Sequence, residues 1–96
     1  MTNTQLEFLD AVEAMGTDSA YNPLRIPEAI AVSSNSAYET AYRDAQQRYG
    51  TDIILYAHSV SHQVTPVPLT PSKPLRTTHE KHYVSVLCVY HVYRTA

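Results

Sequence analysis

A stripe of small and aromatic residues from Ser36 to Gly50 constrains the fold of this 96-residue chain more than any other feature. Ser36 and Glu39 have the spacing of a capping box, in which the serine accepts from the glutamate N–H and the carboxylate returns to the serine N–H. Tyr38, Ala41, Tyr42, Ala45 and Tyr49 then recur on one face of a 3.6-residue period. Glu39–Arg43 and Asp44–Arg48 are i,i+4 pairs with the acid first, the better orientation along a helix. Gly50 is a natural stop. The spacing predicts a helix over residues 37–49, with extended segments on either side of it.

Two of those segments alternate. Over 52–64, Ile54, Tyr56, His58, Val60, His62 and Val64 share one face of a predicted strand, and Ile53, Leu55, Ala57, Ser59 and Ser61 the other. Over 82–94, His82, Val84, Val86, Cys88, Tyr90 and Val92 oppose Tyr83, Ser85, Leu87, Val89, His91 and Tyr93. Both faces of this last strand are largely apolar, so one should lie under helix and the other under a partner or a second copy. Residues 65–80 hold Pro66, Pro68, Pro71 and Pro74 and read as an extended loop between two antiparallel strands.

Toward the N-terminus, Thr4 and Glu7 fit a second capping box, Leu6, Leu9, Val12 and Met15 follow in three-residue steps, and Gly16 offers a stop. Residues 5–15 are therefore expected to be a short amphipathic helix. Residues 28–33, Glu-Ala-Ile-Ala-Val-Ser, are expected as a short strand begun by Pro27. The expected fold is a single α+β domain over 1–96: a small antiparallel or mixed three-stranded sheet packed by two helices, in the order α-β-α-β-β. The strand–helix–strand unit of 28–64 would be a crossover of the usual right hand.

Charge and composition narrow the function. Seven Lys and Arg against nine Asp and Glu give a net charge of −2, with no basic face to displace counterions from nucleic acid. A single cysteine, Cys88, makes no internal disulfide, which points to a reducing, cytoplasmic setting. The N-terminal residues lack the charged and apolar regions of a signal peptide, and no apolar run is long enough to span a bilayer. The only glycines, Gly16 and Gly50, are taken up as helix stops, which leaves no phosphate-binding loop.

Histidine and tyrosine supply the remaining candidates. His58 and His62, two side-chain rows apart on one strand face, would stand about 13 Å from each other, too far to share a zinc ion unaided. His79 and His82 have a His-x-x-His spacing and, joined by His58 or His62, could form a three-ligand metal site; contact with backbone and solvent is the plainer role for all of them. Cys88 sits among Val86, Leu87 and Val89 and reads as core packing rather than as a nucleophile. Of eight tyrosines, Tyr38, Tyr42 and Tyr49 wedge the helix onto the sheet. Tyr83, Tyr90 and Tyr93, with Lys73, Arg76 and Lys81 of the proline-rich loop, are the expected partner-binding residues. Glu7, Asp10 and Glu13 form an acidic side on the first segment that reads as a solvated face.

The segment from Ala29 to Arg94 resembles the dodecin layout of a strand, a helix and two long strands. The resemblance is carried by Ser36, Glu39, Ala41 and Ala45 and by the run Tyr83-Val84-Ser85-Val86-Leu87. It implies a flavin-binding oligomer in which an aromatic ring, usually tryptophan, stacks on the flavin, here on the sheet face bearing His58 and His62. This chain has no tryptophan, and no cofactor is expected of it. As a short, mildly acidic α+β chain it also looks like the small phage-encoded inhibitors of bacterial defence systems, anti-CRISPR proteins among them, a likeness of type that would imply steric blocking in a host cytoplasm. The expected function is a non-enzymatic protein-binding module, with self-association through the final strand as one use of its surplus apolar face.

Overall fold

A computed structural model describes residues 5–67 and 81–95. The elements run β1 (Leu6–Ala20), a 3-10 turn (Pro23–Arg25), α1 (Ile26–Tyr49), β2 (Ile53–Val67) and β3 (Lys81–Thr95). The strands form an antiparallel sheet in the order β1-β3-β2, with α1 on one face. Among the described residues the fold is α+β with a three-stranded sheet, as expected, but with one long helix in place of two and the order β-α-β-β in place of α-β-α-β-β.

Both corrections fall in the first half of the chain. Residues 5–15, expected as a helix, belong to the 15-residue strand β1, in which Val12, Ala14, Gly16 and Ala20 point to α1 while Glu13, Met15 and Thr17 point away. The three-residue steps of Leu6, Leu9, Val12 and Met15 mimic a helical face. Pairing along the whole of β3, from Leu6 opposite Thr95 to Ala20 opposite His82, overrides the modest helix preference of Glu, Ala and Met. Thr4, the expected cap, lies outside the described residues. The expected strand 28–33 is the opening of α1. Pro27 suits the first helical turn, where its missing N–H would have no intrahelical acceptor. The chain enters through Asn22, whose side-chain oxygen accepts from the Leu24 N–H at 3.0 Å. Ser36 and Glu39 lie within a helix of 24 residues and cap nothing. Gly50 does stop it, with φ of 91° and its N–H donating to the Gln46 carbonyl at 2.9 Å.

The seam between helix and sheet is made of small side chains. Ala29, Ser33, Ala37, Ala41 and Ala45 are its buried residues, each four positions from the next. A four-residue ridge winds obliquely about a helix axis, so it presents a slanted row that can lie along a twisted sheet. Against it lie Val12, Ala14 and Gly16 of β1 and Val84, Val86, Cys88 and Val92 of β3. The approach is closest at Gly16. A Cβ there would run into the Ser33 carbonyl oxygen and sit 2.9 Å from the Ala37 nitrogen. Gly16 is therefore a mid-strand contact residue rather than a helix stop. Cys88 is fully buried in this seam, where it packs as a small hydrophobe.

At its C-terminal end α1 is tied to the sheet by polar contacts. Arg94 of β3 donates to the Tyr49 carbonyl at 2.6 Å, a cation at the negative end of the helix dipole. Tyr49 and Arg48 both donate to Asp10 of β1, at 2.8 and 3.3 Å, and Asp44–Arg48 closes at 3.5 Å. Asp10 reaches them because a bulge at Leu9 shifts the phase of β1.

Candidate functional site on the open face of the sheet

The alternation of β3 decides which residues α1 covers. Val84, Val86, Cys88, Tyr90 and Val92 are buried beneath the helix, and Tyr83, Ser85, Leu87, Val89, His91 and Tyr93 emerge on the opposite face, as the sequence pattern predicts. No element among the described residues lies over that second face. Register places Phe8, Ala11, Glu13 and Met15 of β1 along one side of it and Ile54, Tyr56, Ser59 and Ser61 of β2 along the other. Phe8, Met15 and Tyr56 each leave more than half of their surface exposed, at 53%, 57% and 53%. Such exposure is ordinary for one large apolar residue and informative for a contiguous group.

At one end the rings form a connected cluster spanning all three strands. Phe8 meets His91 edge-on at 5.2 Å between centroids and Tyr93 at 5.7 Å; Tyr56 meets Tyr93 at 5.5 Å. His58 stacks on His91 at 4.1 Å with the ring planes 14° apart. A bulge at His58 produces that stack, because the β2–β3 register shifts between Ala57 and Ser59. The same shift corrects the expected alternation of β2. Ser59 and Ser61 follow Tyr56 onto the open face, while Val60, His62 and Val64 lie on the helix side, so His58 and His62 do not share a face. Two bulges, at Leu9 and His58, thus frame the ring cluster, a placement typical of bulges that re-aim side chains.

At the other end, the Lys81 ammonium lies 4.7 Å from the Tyr83 ring centre and 5.6 Å from that of Tyr21. Its pKa is raised, chiefly by a side-chain hydrogen bond with Tyr83. Between the two ends, Met15, Leu87, Ser85, Ser61 and Gln63 line a shallow concavity that His62 borders.

The expected partner-binding residues separate accordingly. Tyr93 sits within the ring cluster, and Tyr83 and Lys81 lie at the far end of the sheet. Tyr90 is 5% exposed on the helix side, edge-on to Tyr38 at 5.7 Å, and burial raises its pKa. Of the three tyrosines, Tyr83 and Tyr93 reach the open face. Lys73, Arg76 and His79 lie outside the described residues, as does most of the expected loop 65–80; residues 65–67 complete β2. Phe8, His91 and Tyr56 were not among the expected site residues. Phe8 was hidden by the helical reading of its segment, and the His58–His91 pair depends on a bulge.

The candidate metal ligands His58 and His82 are not brought together. His82, opposite Ala20 and Pro66, lies on the helix side of the sheet, whereas His58 is on the open side toward the opposite end. Among the described residues, no group of three or more His, Cys, Asp or Glu side chains could hold a metal ion. Nor is any helix among them long and apolar enough to cross a membrane. Pairing along the final strand is not open to a second copy, because β3 has a strand on each side. The comparisons with known proteins returned no match: no protein-family model, no curated protein and no solved structure.

Proposed function

We propose that the chain is a non-catalytic protein-binding module whose docking surface is the open face of the sheet. The observation that carries this reading is the connected cluster of Phe8, Tyr56, His58, His91 and Tyr93, half-buried to exposed on a face that no described element covers. Aromatic side chains held by neighbouring rings offer large contact area with little conformational entropy left to lose, which suits them to anchor an interface. The long strands support the reading through size. Fifteen residues of strand extend about 50 Å and three strands span about 14 Å, close to the ~800 Å² per partner of a standard interface. A module of this kind acts by occupying its partner's surface, the steric blocking that the phage-inhibitor likeness implies. The fold adds no residue signature to that likeness. The proposed setting is the cytoplasm, where a lone thiol such as Cys88 stays reduced.

The test is affinity purification from the native host with identification by mass spectrometry, run in parallel with a Phe8→Ala/Tyr56→Ala variant. A partner bound directly by the unmodified chain, and held about thirtyfold more weakly per anchor lost, supports the reading. Identical retention by both proteins, with binding constants to match, overturns it.

A second reading has one observation in its favour. The strand–helix–strand–strand order is that of the dodecin layout, with the first strand at Leu6–Ala20 rather than near Ala29. A planar ligand would stack on the ring cluster, using His58 and His91 but not His62. A flavin-induced rise in melting temperature that Tyr56→Ala and His91→Ala abolish would select this reading over the first.

A further inference from the structure

The sheet has two free edges among the described residues, and they differ in charge. β1 carries Glu7, Asp10, Glu13 and Asp18 and no basic residue. β2, over the whole of Ile53–Val67, carries no Asp, Glu, Lys or Arg. Edge strands are ordinarily guarded against pairing by charges, prolines or bulges. β1 is guarded by its carboxylates. β2 has a bulge at His58 and a proline at Pro66, with an uninterrupted, uncharged stretch between them at residues 59–65. Alternate residues of that stretch direct their N–H and C=O groups outward.

The helix side of the sheet shows the same asymmetry. α1 rests on β1 and β3 and barely touches β2. Ala57, Val60 and His62 of β2 are consequently exposed on the side where the equivalent residues of β1 and β3 are buried, and Val60 retains 56% of its surface.

We infer that the chain forms a two-fold homodimer by antiparallel pairing of β2 with β2 of a second copy across residues 59–65. Charge and symmetry select this occupant. Pairing β1 with β1 would set two rows of carboxylates against each other. Pairing β1 of one copy with β2 of the next leaves both outer edges free and grows an open fibre. Pairing β2 with β2 closes, leaving only the acidic edges of β1 outermost. A continuous sheet requires directly opposed residues to point the same way, so the two residue numbers of each pair must have an even sum. Val60 and His62 then face Val60, His62 or Val64 of the other copy, on the helix side. The product is a six-stranded sheet with two helices on one face, presenting two ring clusters on the other. Two linked copies of one docking surface gain by avidity. The inference stands apart from the docking role of the open face, because it uses the edge of β2 and its helix-side residues.

The test pairs two charged variants, Val60→Glu/His62→Glu and Val60→Lys/His62→Lys, with the unmodified chain, using light scattering on a sizing column. Both substituted positions are exposed and on the helix side of β2, outside the ring cluster. The unmodified chain should have the mass of a dimer, each variant that of a monomer, and an equimolar mixture of the two variants that of a dimer again. Amide hydrogen exchange on the unmodified chain is a readout that needs no variant: every N–H from Ser59 to Thr65 should be protected, and protection of alternate residues should fall on dilution. A monomeric unmodified chain over its soluble range, or a dimer that persists in both variants, overturns the inference. So does an alternating pattern of fast exchange along this stretch that is independent of concentration.

Discussion

The Tyr49 hydroxyl donates to Asp10 Oδ2 at 2.8 Å, joining the last turn of the helix to the first strand across 39 positions of sequence. The bond lowers the Asp10 pKa below its ordinary value of 3.8 and raises that of Tyr49 above 10.0. A depressed carboxylate stabilises the fold above its unfolded-state pKa, and that contribution is lost as the pH falls through the lower folded value. A raised phenol stabilises below its unfolded-state pKa, and that contribution is lost as the pH rises through the higher folded value. Urea unfolding followed against pH should thus show a loss of stability below about pH 4 and another above about pH 10. Tyr49→Phe should flatten both limbs, and an unchanged profile in that variant would show that the contact does not couple folding to proton binding.

Gly16→Ala should destabilise the protein severely. The added methyl has backbone, not a flexible side chain, in its way at Ser33 and Ala37. Overpacking costs about 1–3 kcal/mol where neighbours can shift. Here the helix as a whole must lift, so the loss should reach or exceed the upper figure. Thermal or urea unfolding measures it.

Ser33→Ala should leave stability unchanged or raise it by up to about 1 kcal/mol. The Ser33 hydroxyl is buried without a hydrogen-bond partner among the described residues, and alanine matches its neighbours in the seam while favouring the helix. A clear loss of stability in this variant would reveal a partner for that hydroxyl.

Truncations on the two faces of the sheet should separate. Val86→Ala, beneath the helix at 0% exposure, should cost about 2 kcal/mol. Met15→Ala on the open face should stay within about 0.5 kcal/mol, and Phe8→Ala within about 1.5 kcal/mol, the worth of its ring contacts. If the open-face changes cost as much as Val86→Ala, that face is integral to the fold rather than held for docking.

The two faces of β3 were legible in the sequence because its alternation is strict and its residues are mostly branched or aromatic. The second half of α1 was legible for a similar reason, its stripe recurring without a gap from Tyr38 to Tyr49. The first half was not. Pro27 opens a strand as readily as a helix, and the run Ser33-Ser34-Asn35-Ser36 resembles a loop with a cap. The signal that could have settled it was the four-residue spacing itself, since Ala29 and Ser33 extend the Ala37, Ala41, Ala45 series backward without a gap. β1 was misread because glutamate, alanine and methionine favour helix locally, whereas pairing with a distant strand is decided by the whole sheet. The ring cluster was visible only through Tyr93. It depends on bulges at Leu9 and His58, which neither periodicity nor composition marks.

A helix lying on alanine, serine and glycine leaves the interior little volume to give. The gap between layers is closed down to main chain at Gly16 and Ser33. Any partner would have to be met on the outer surfaces, and those could change freely while the contact between Gly16 and Ser33 stayed fixed.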